Sequence, residues 1–269
     1  MTIPGLRATY ARGLCWTDGG TSLLVAGKDG SISRVDPARA CIVSTLQATD
    51  STISCLALHP DGSELAVGSH NGNIFILDAA SLAVKGHMLQ PRGKKVFSVG
   101  YSPDGSLLLA GLEGARVTLW ATDTYQFQAI LTEGSIEAED DYFTRGIAFA
   151  PDGRYAAIAS VGGHTSGLWS TSHWTQVASF PSLWSACFSP DGDSLVGGGV
   201  GEMVIWDTNP ASPSFGKRLR VLDVRMNCQG MRMGGARGLE QEHYWKVRGE
   251  GRVGPLREFF AERGAVDEA

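Results

Sequence analysis

One short turn, repeated along the chain at near-constant spacing, constrains this sequence more than any other feature. It stands complete as His59-Pro60-Asp61-Gly62, Ser102-Pro103-Asp104-Gly105, Ala150-Pro151-Asp152-Gly153 and Ser189-Pro190-Asp191-Gly192, with Trp16-Thr17-Asp18-Gly19 as a proline-free copy. Proline pre-sets a negative φ, Asp supplies a polar cap, and Gly tolerates the positive φ that closes the turn. Asp18 to Asp61 is 43 residues, Asp61 to Asp104 is 43 again, and the next intervals are 48 and 39. Downstream of each Asp a short apolar run ends in an aromatic or aliphatic residue, often with an acid beside it: Val35-Asp36, Leu77-Asp78, Trp120-Ala121, Trp169-Ser170 and Trp206-Asp207. One such turn is a turn and nothing more. Five in register with five strand ends describe a repeated unit.

Within each unit, runs of four to eight apolar residues bounded by Gly, Pro and Asp read as antiparallel strands. A period of about 40–45 residues with Trp-Asp closing one strand resembles the WD-repeat (WD40) family, in which each repeat forms one blade of a β-propeller. The resemblance covers roughly residues 10–222. It implies an all-β, WD40-type propeller with about five recognisable blades, near residues 10–46, 52–89, 96–131, 144–180 and 184–222. The second strands are small and aliphatic, as in Leu65-Ala-Val-Gly68 and Leu108-Leu-Ala-Gly111, which suits burial on both faces of a stacked sheet.

The sequence departs from the family pattern in two ways. The Gly-His that usually precedes the first strand is missing at its usual distance, and Gly86-His87 falls within a fourth strand. The Asp of the second hairpin survives only as Asp29, with Asn71, Glu113, His164 and Glu202 at the equivalent turns. A buried His–Asp–Ser–Trp hydrogen-bond set is therefore expected to be largely absent, leaving apolar stacking to hold the blades. Five blades also leave closure open, since an unclosed arc exposes two sheet faces. A tight five-blade ring, an arc covered by its tail, and a part of a longer propeller all stay in play.

Beyond Asn209-Pro-Ala-Ser-Pro the composition changes. Residues 223–269 read as a Gly-rich tail ending in a helix over 255–263, with Pro255 at its first position, Gly264 past its end, and Leu256, Phe259 and Phe260 on one face. Asn227–Leu239 looks like the tail that follows WD repeats in some large multidomain signalling ATPases, although no phosphate-binding Gly-x4-Gly-Lys-Ser/Thr loop occurs.

A formal net charge of −5 and the lack of a basic, aromatic-interleaved stripe argue against a nucleic-acid role. No apolar run is long enough to span a membrane, and the first residues lack a signal-peptide core. The five cysteines, 15, 41, 55, 187 and 228, sit mostly in apolar runs and read as buried, reduced thiols. The expected location is cytoplasm or nucleus.

No nucleophile elbow occurs and the six histidines are scattered, so no catalytic residue and no cofactor is expected. The ring Asp29, Asn71, Glu113, His164 and Glu202 could in principle hold a divalent cation, as in lactonase-type propeller enzymes. The competing reading is that turns favour these residues for local hydrogen bonding. The function implied is a non-catalytic scaffold for protein partners of unread identity, with the metal enzyme and a remnant of a larger signalling protein as rivals. In the resembled family, first strands begin around the mouth of a central channel. Counting back equally from each turn Asp reaches Ala11, Ser54, Phe97, Arg145 and Trp184. With neighbouring Lys95 and Phe143, the expected contact patch is Lys95, Phe97, Phe143, Arg145 and Trp184, residue types that dominate interfaces. The competing reading has Phe97 and Trp184 filling core between blades.

Overall fold

A computed structural model describes residues 13–90, 94–132, 142–161, 166–199 and 202–223, and the backbone of 244–246 and 253–255. Five four-stranded antiparallel sheets follow one another, each a simple meander. Blade one holds β1 (Gly13–Thr17), β2 (Ser22–Ala26), β3 (Ser31–Asp36) and β4 (Cys41–Gln47). Blade two holds β5 (Ile53–Leu58), β6 (Glu64–Ser69), β7 (Asn73–Asp78) and β8 (Val84–Leu89). Blade three holds β9 (Val96–Tyr101), β10 (Leu107–Leu112), β11 (Val117–Ala121) and β12 (Phe127–Thr132). Blade four holds β13 (Phe143–Phe149), β14 (Tyr155–Val161), β15 (Gly167–Ser170) and β16 (Thr175–Ser179). Blade five holds β17 (Ser185–Phe188), β18 (Ser194–Gly198), β19 (Glu202–Asp207) and β20 (Arg218–Asp223).

The repeated turn joins the first two strands of each blade. Gly62, Gly105, Gly153 and Gly192 adopt φ of 78°, 76°, 74° and 77°, a region that disfavours any side chain. Each turn Asp accepts a backbone N–H two residues on: Asp61 from Ser63 at 2.8 Å, Asp104 from Ser106 at 3.1 Å, Asp152 from Arg154 at 2.9 Å and Asp191 from Asp193 at 3.0 Å. A second clamp follows the third-strand tryptophans. Thr122, Thr171 and Thr208 donate their hydroxyls to the carbonyls of Gly105, Gly153 and Gly192 at 2.6, 2.6 and 2.7 Å. The motif Trp-x-Thr thus ties the end of one hairpin to the turn of the other.

Burial runs from the inside of the stack outward. The second and third strands of blades two to four are buried almost throughout, whereas β4, β8, β12 and β16 alternate or face solvent. Four apolar clusters fill four blade-to-blade seams. Leu24 and Ile32 meet Ile53 and Leu65, Ile74 and Met88 meet Val96 and Leu108, Leu109 and Val117 meet Ile158, and Leu168 and Phe180 meet Leu195 and Trp206. Each fully buried aliphatic chain contributes about 1.5–3 kcal/mol. The innermost strands pack as β1 on β5, β5 on β9, β9 on β13 and β13 on β17. Among the described residues no comparable seam joins β17 to β1, so the blades form an open series rather than a tight five-blade ring. Leu14 and Trp16 on the free face of blade one are accordingly 59% and 55% exposed.

Three expectations are corrected. Polar clamps do reinforce the stacking: in blade three Trp120 Nε1 donates to Thr118 Oγ1 at 3.1 Å, and that hydroxyl lies 2.9 Å from Gln90 Oε1. Gln90, from the segment before β9, does here what the missing histidine does not. Second, the thiols are not uniformly buried: Cys55 is, but Cys41 and Cys187 are exposed, one on an outer strand and one on the free face of blade five. Third, Pro255 ends a short strand, β22 (Val253–Pro255), paired with β21 (Tyr244–Lys246), rather than opening a helix. The remainder of the expected helix, with Leu256, Phe259 and Phe260, and the ATPase-like tail segment lie outside the described residues.

Candidate functional site

The first strand of each blade lies innermost, and four of them bound a groove. Its walls are Ser54 and Cys55 from β5, Phe97, Ser98 and Val99 from β9, Arg145, Gly146 and Ile147 from β13, and Trp184, Ser185 and Ala186 at β17. Its volume is about 380 Å³, room for one or two amino-acid side chains. The strands come close because their contacts are small. A Cβ on Gly146 would stand 3.0 Å from Ser185 Cα, so glycine is what lets β13 and β17 approach. Hydroxyls stitch the same wall: Ser54 donates to the Val96 carbonyl, and Ser98 donates to the Thr144 carbonyl at 2.9 Å.

Ser54, Phe97, Arg145 and Trp184, equidistant in sequence from their turn aspartates, all line this groove. Ala11 lies outside the described residues. Arg145 is the centre of the arrangement. Its guanidinium carbon is 4.9 Å from the ring centroids of Phe143 and Trp184 and 5.7 Å from that of Phe97. Phe97 and Phe143 are themselves 5.0 Å apart, and His70 extends the aromatic row at 5.3 Å from Phe97. Each cation–π contact contributes about 0.5–2 kcal/mol and, more usefully, restricts a long side chain to one orientation. Trp184 remains 45% exposed, so its ring closes over Arg145 without disappearing into a seam.

Lys95 stands at the start of the same strand as Phe97 but turns to Glu113, 2.6 Å away, in the second hairpin of its own blade. Glu113 also meets Phe143 through a backbone bridge, which ties blade three to the start of β13.

Chemistry other than recognition finds little footing here. The Cys55 thiol is pushed up to about 12 by burial, only partly offset by the Ser54 hydroxyl, and so stays protonated and a poor nucleophile. Asp29 and Asn71 spend their side-chain oxygens on their own turns, Asp29 accepting from the Ser31 N–H at 3.1 Å and hydroxyl at 2.7 Å, Asn71 from the Asn73 N–H at 3.1 Å. His164 lies outside the described residues, and among those described no group of three or more His, Cys, Asp or Glu could hold a metal. No helix among the described residues is long and apolar enough to cross a membrane.

Comparison with known proteins agrees with this architecture. The family model "WD domain, G-beta repeat" matches residues 40–78. A WD repeat-containing protein SL1-17 of Schistosoma mansoni is 34% identical over 107 residues, covering 39% of this chain and 32% of that protein. A Protein LST8 homolog of Drosophila pseudoobscura pseudoobscura is 28% identical over 183 residues, covering 65% of this chain and 56% of that one. The chain thus spans between a third and somewhat over half of these relatives. The crystal structure of the Cps50 (Swd1) β-propeller domain of Myceliophteria thermophila shares the fold with a TM-score of 0.66 at 12% identity, covering 79% of this chain and 72% of that one. The chain thus has a β-propeller fold of five four-stranded blades that match those of WD40 propellers, and its residues 40–78 match the WD repeat.

Proposed function

We propose that the chain is a non-catalytic platform for protein partners, and that it contacts them at the mouth of the inner groove through Phe97, Phe143, Arg145 and Trp184, with Lys95 at the rim. One observation carries this reading: a guanidinium held among three aromatic rings, one of which stays nearly half exposed. Structural packing alone would bury Trp184 in a seam, as it buries Trp206. A preorganised Arg–aromatic cluster offers large contact area at little further entropy cost.

The test compares Trp184→Ala with a control, Phe127→Ala, on the outer strand β12, where the ring is also exposed. Partners captured by the intact chain from its own cells are identified, purified and titrated against each variant. Trp184→Ala should weaken binding by about 2 kcal/mol or more, roughly thirtyfold, with little change in melting temperature, whereas Phe127→Ala should leave affinity unchanged. Unfolding of Trp184→Ala, or equal affinity for wild type and variant, would remove the patch from consideration.

A further inference from the structure

A second surface stands out at the outer edge of blade five. Lys217, Arg218 and Arg220, in and just before β20, are all exposed, on a chain whose formal net charge is −5. None of the three makes an ion pair with a described carboxylate. Asp207, whose backbone N–H donates to the Lys217 carbonyl at 3.0 Å, accepts instead from the hydroxyls of Ser212 and Ser214. Between the two arginines Leu219 is 53% exposed. The register sets Arg218 opposite Trp206 and Arg220 opposite Ile205, neighbours on β19, so the two arginines leave the edge on opposite faces of the blade. Charge on an outer strand commonly serves only to keep sheet edges from pairing with other chains. That account does not fit here. All five outer strands share a register shift against the third strand, a bulge that already blunts the edge. Yet β4, β12 and β16 hold no charged residue, and the one lysine of β8, Lys85, pairs with Glu64 at 2.6 Å. The basic edge therefore belongs to blade five and not to the repeat.

We propose that this edge docks an extended, acidic segment of a protein partner, laid along β20 with its carboxylates on Lys217, Arg218 and Arg220 and an apolar side chain on Leu219. The chemistry of the edge selects that occupant. A guanidinium binds a carboxylate bidentately, through two parallel N–H donors. Residues 217–220 cover about 10 Å at strand spacing, and an extended partner repeats its side chains at the same rise. Beyond the bulge, β20 is the last strand of its sheet, and residues 220–222 offer the open backbone edge on which a further strand is added. Nucleic acid finds less here, because β20 carries no aromatic ring on which a base could stack. The surface is separate from the groove, which no residue of β20 lines.

The experiment titrates the full chain with short, N-acetylated, C-amidated peptides of Thr and Val whose three central residues are all Glu, all Gln or all Lys. The Glu peptide should bind at least about tenfold more tightly than the Gln peptide, the factor of one charge-assisted hydrogen bond, and should weaken as salt rises. It should also slow amide exchange in β20 while leaving β12 unchanged. The double variant Arg218→Gln, Arg220→Gln alters exposed side chains only; it should keep the wild-type circular dichroism and lose the preference. Trp184→Ala, in the groove, should retain it. The wild-type comparison needs no variant, so it decides even if one fails to fold. Equal binding of the Glu and Gln peptides, a preference that survives the double variant, or exchange unchanged in β20 overturns the proposal. So does a single-stranded oligonucleotide of equal charge that binds as tightly and protects β20 as well, which would make the edge a general anion site. Loss of the preference in Trp184→Ala alone moves acidic recognition to the groove, so that the edge falls and the interaction surface proposed above stands.

Discussion

Three tryptophans close the third strands of blades three to five, and their surroundings differ enough to separate burial from hydrogen bonding. Trp120 donates to Thr118, which in turn donates to Gln90 Oε1, so the indole N–H and the hydroxyl are both buried and satisfied, whereas Gln90 Nε2 has no hydrogen-bond partner among the described residues. Trp169 occupies the same place in blade four, but Gly167 stands where Thr118 would be, and its indole N–H has no hydrogen-bond partner. Thr118→Val should therefore cost about 1–3 kcal/mol, the penalty for stranding buried polar groups. Trp169→Phe should cost less than Trp120→Phe, because only the latter breaks a hydrogen bond. Denaturant unfolding of the three variants checks the order. This network was not legible in the sequence, since Gln90 reaches Thr118 from a segment 28 residues away and no local pattern announces it. The register of the groove residues was legible, because each stands a fixed distance from a turn whose geometry Pro, Asp and Gly dictate. The exposure of Cys187 was not, because strand burial depends on whether a neighbouring blade covers that face.

At the scale of the element, the turns carry a titratable signature. Ser63, through its hydroxyl and backbone N–H, and then His59 hold Asp61 down from 3.8 to about 2. Ser102 and Ser106 lower Asp104, Ser189 lowers Asp191, Ser81 lowers Asp78, and Ser212 and Ser214 lower Asp207. A carboxylate whose folded pKa is depressed adds stability above its unfolded pKa and loses it as pH falls through the folded value. The melting temperature should thus hold from neutrality down to about pH 4 and decline between about pH 4 and 2, as several turns are protonated together. In Asp104→Asn, which keeps a turn-forming side chain without the charge, the decline should be shallower. Titration of the Asp carboxyl resonances by NMR would assign it; a melting curve flat to pH 2 would contradict it. Strand existence was readable from these punctuation marks.

Across the whole molecule, the apolar content is divided among four seams, each between sequence neighbours. No fifth seam between β17 and β1 appears among the described residues, and the two flanking blades each present a face that nothing described covers. Such an assembly behaves less like a ring than like a short stack of coins. In a closed ring every unit has two neighbours and must be lost all at once; in a stack the terminal units have one. Heat or denaturant should therefore work inward from the ends. Native-state amide exchange gives the readout: β10, β11 and β14 should open only with global unfolding, while β2 and β18 should exchange through smaller, earlier openings. The groove lies toward blades three to five, with Trp184 on the last of them, so its far wall belongs to a unit that frays and its centre, Arg145, to one that does not. A partner bridging Arg145 and Trp184 would clamp that end shut, and its binding energy would reappear as slower exchange across all of blade five.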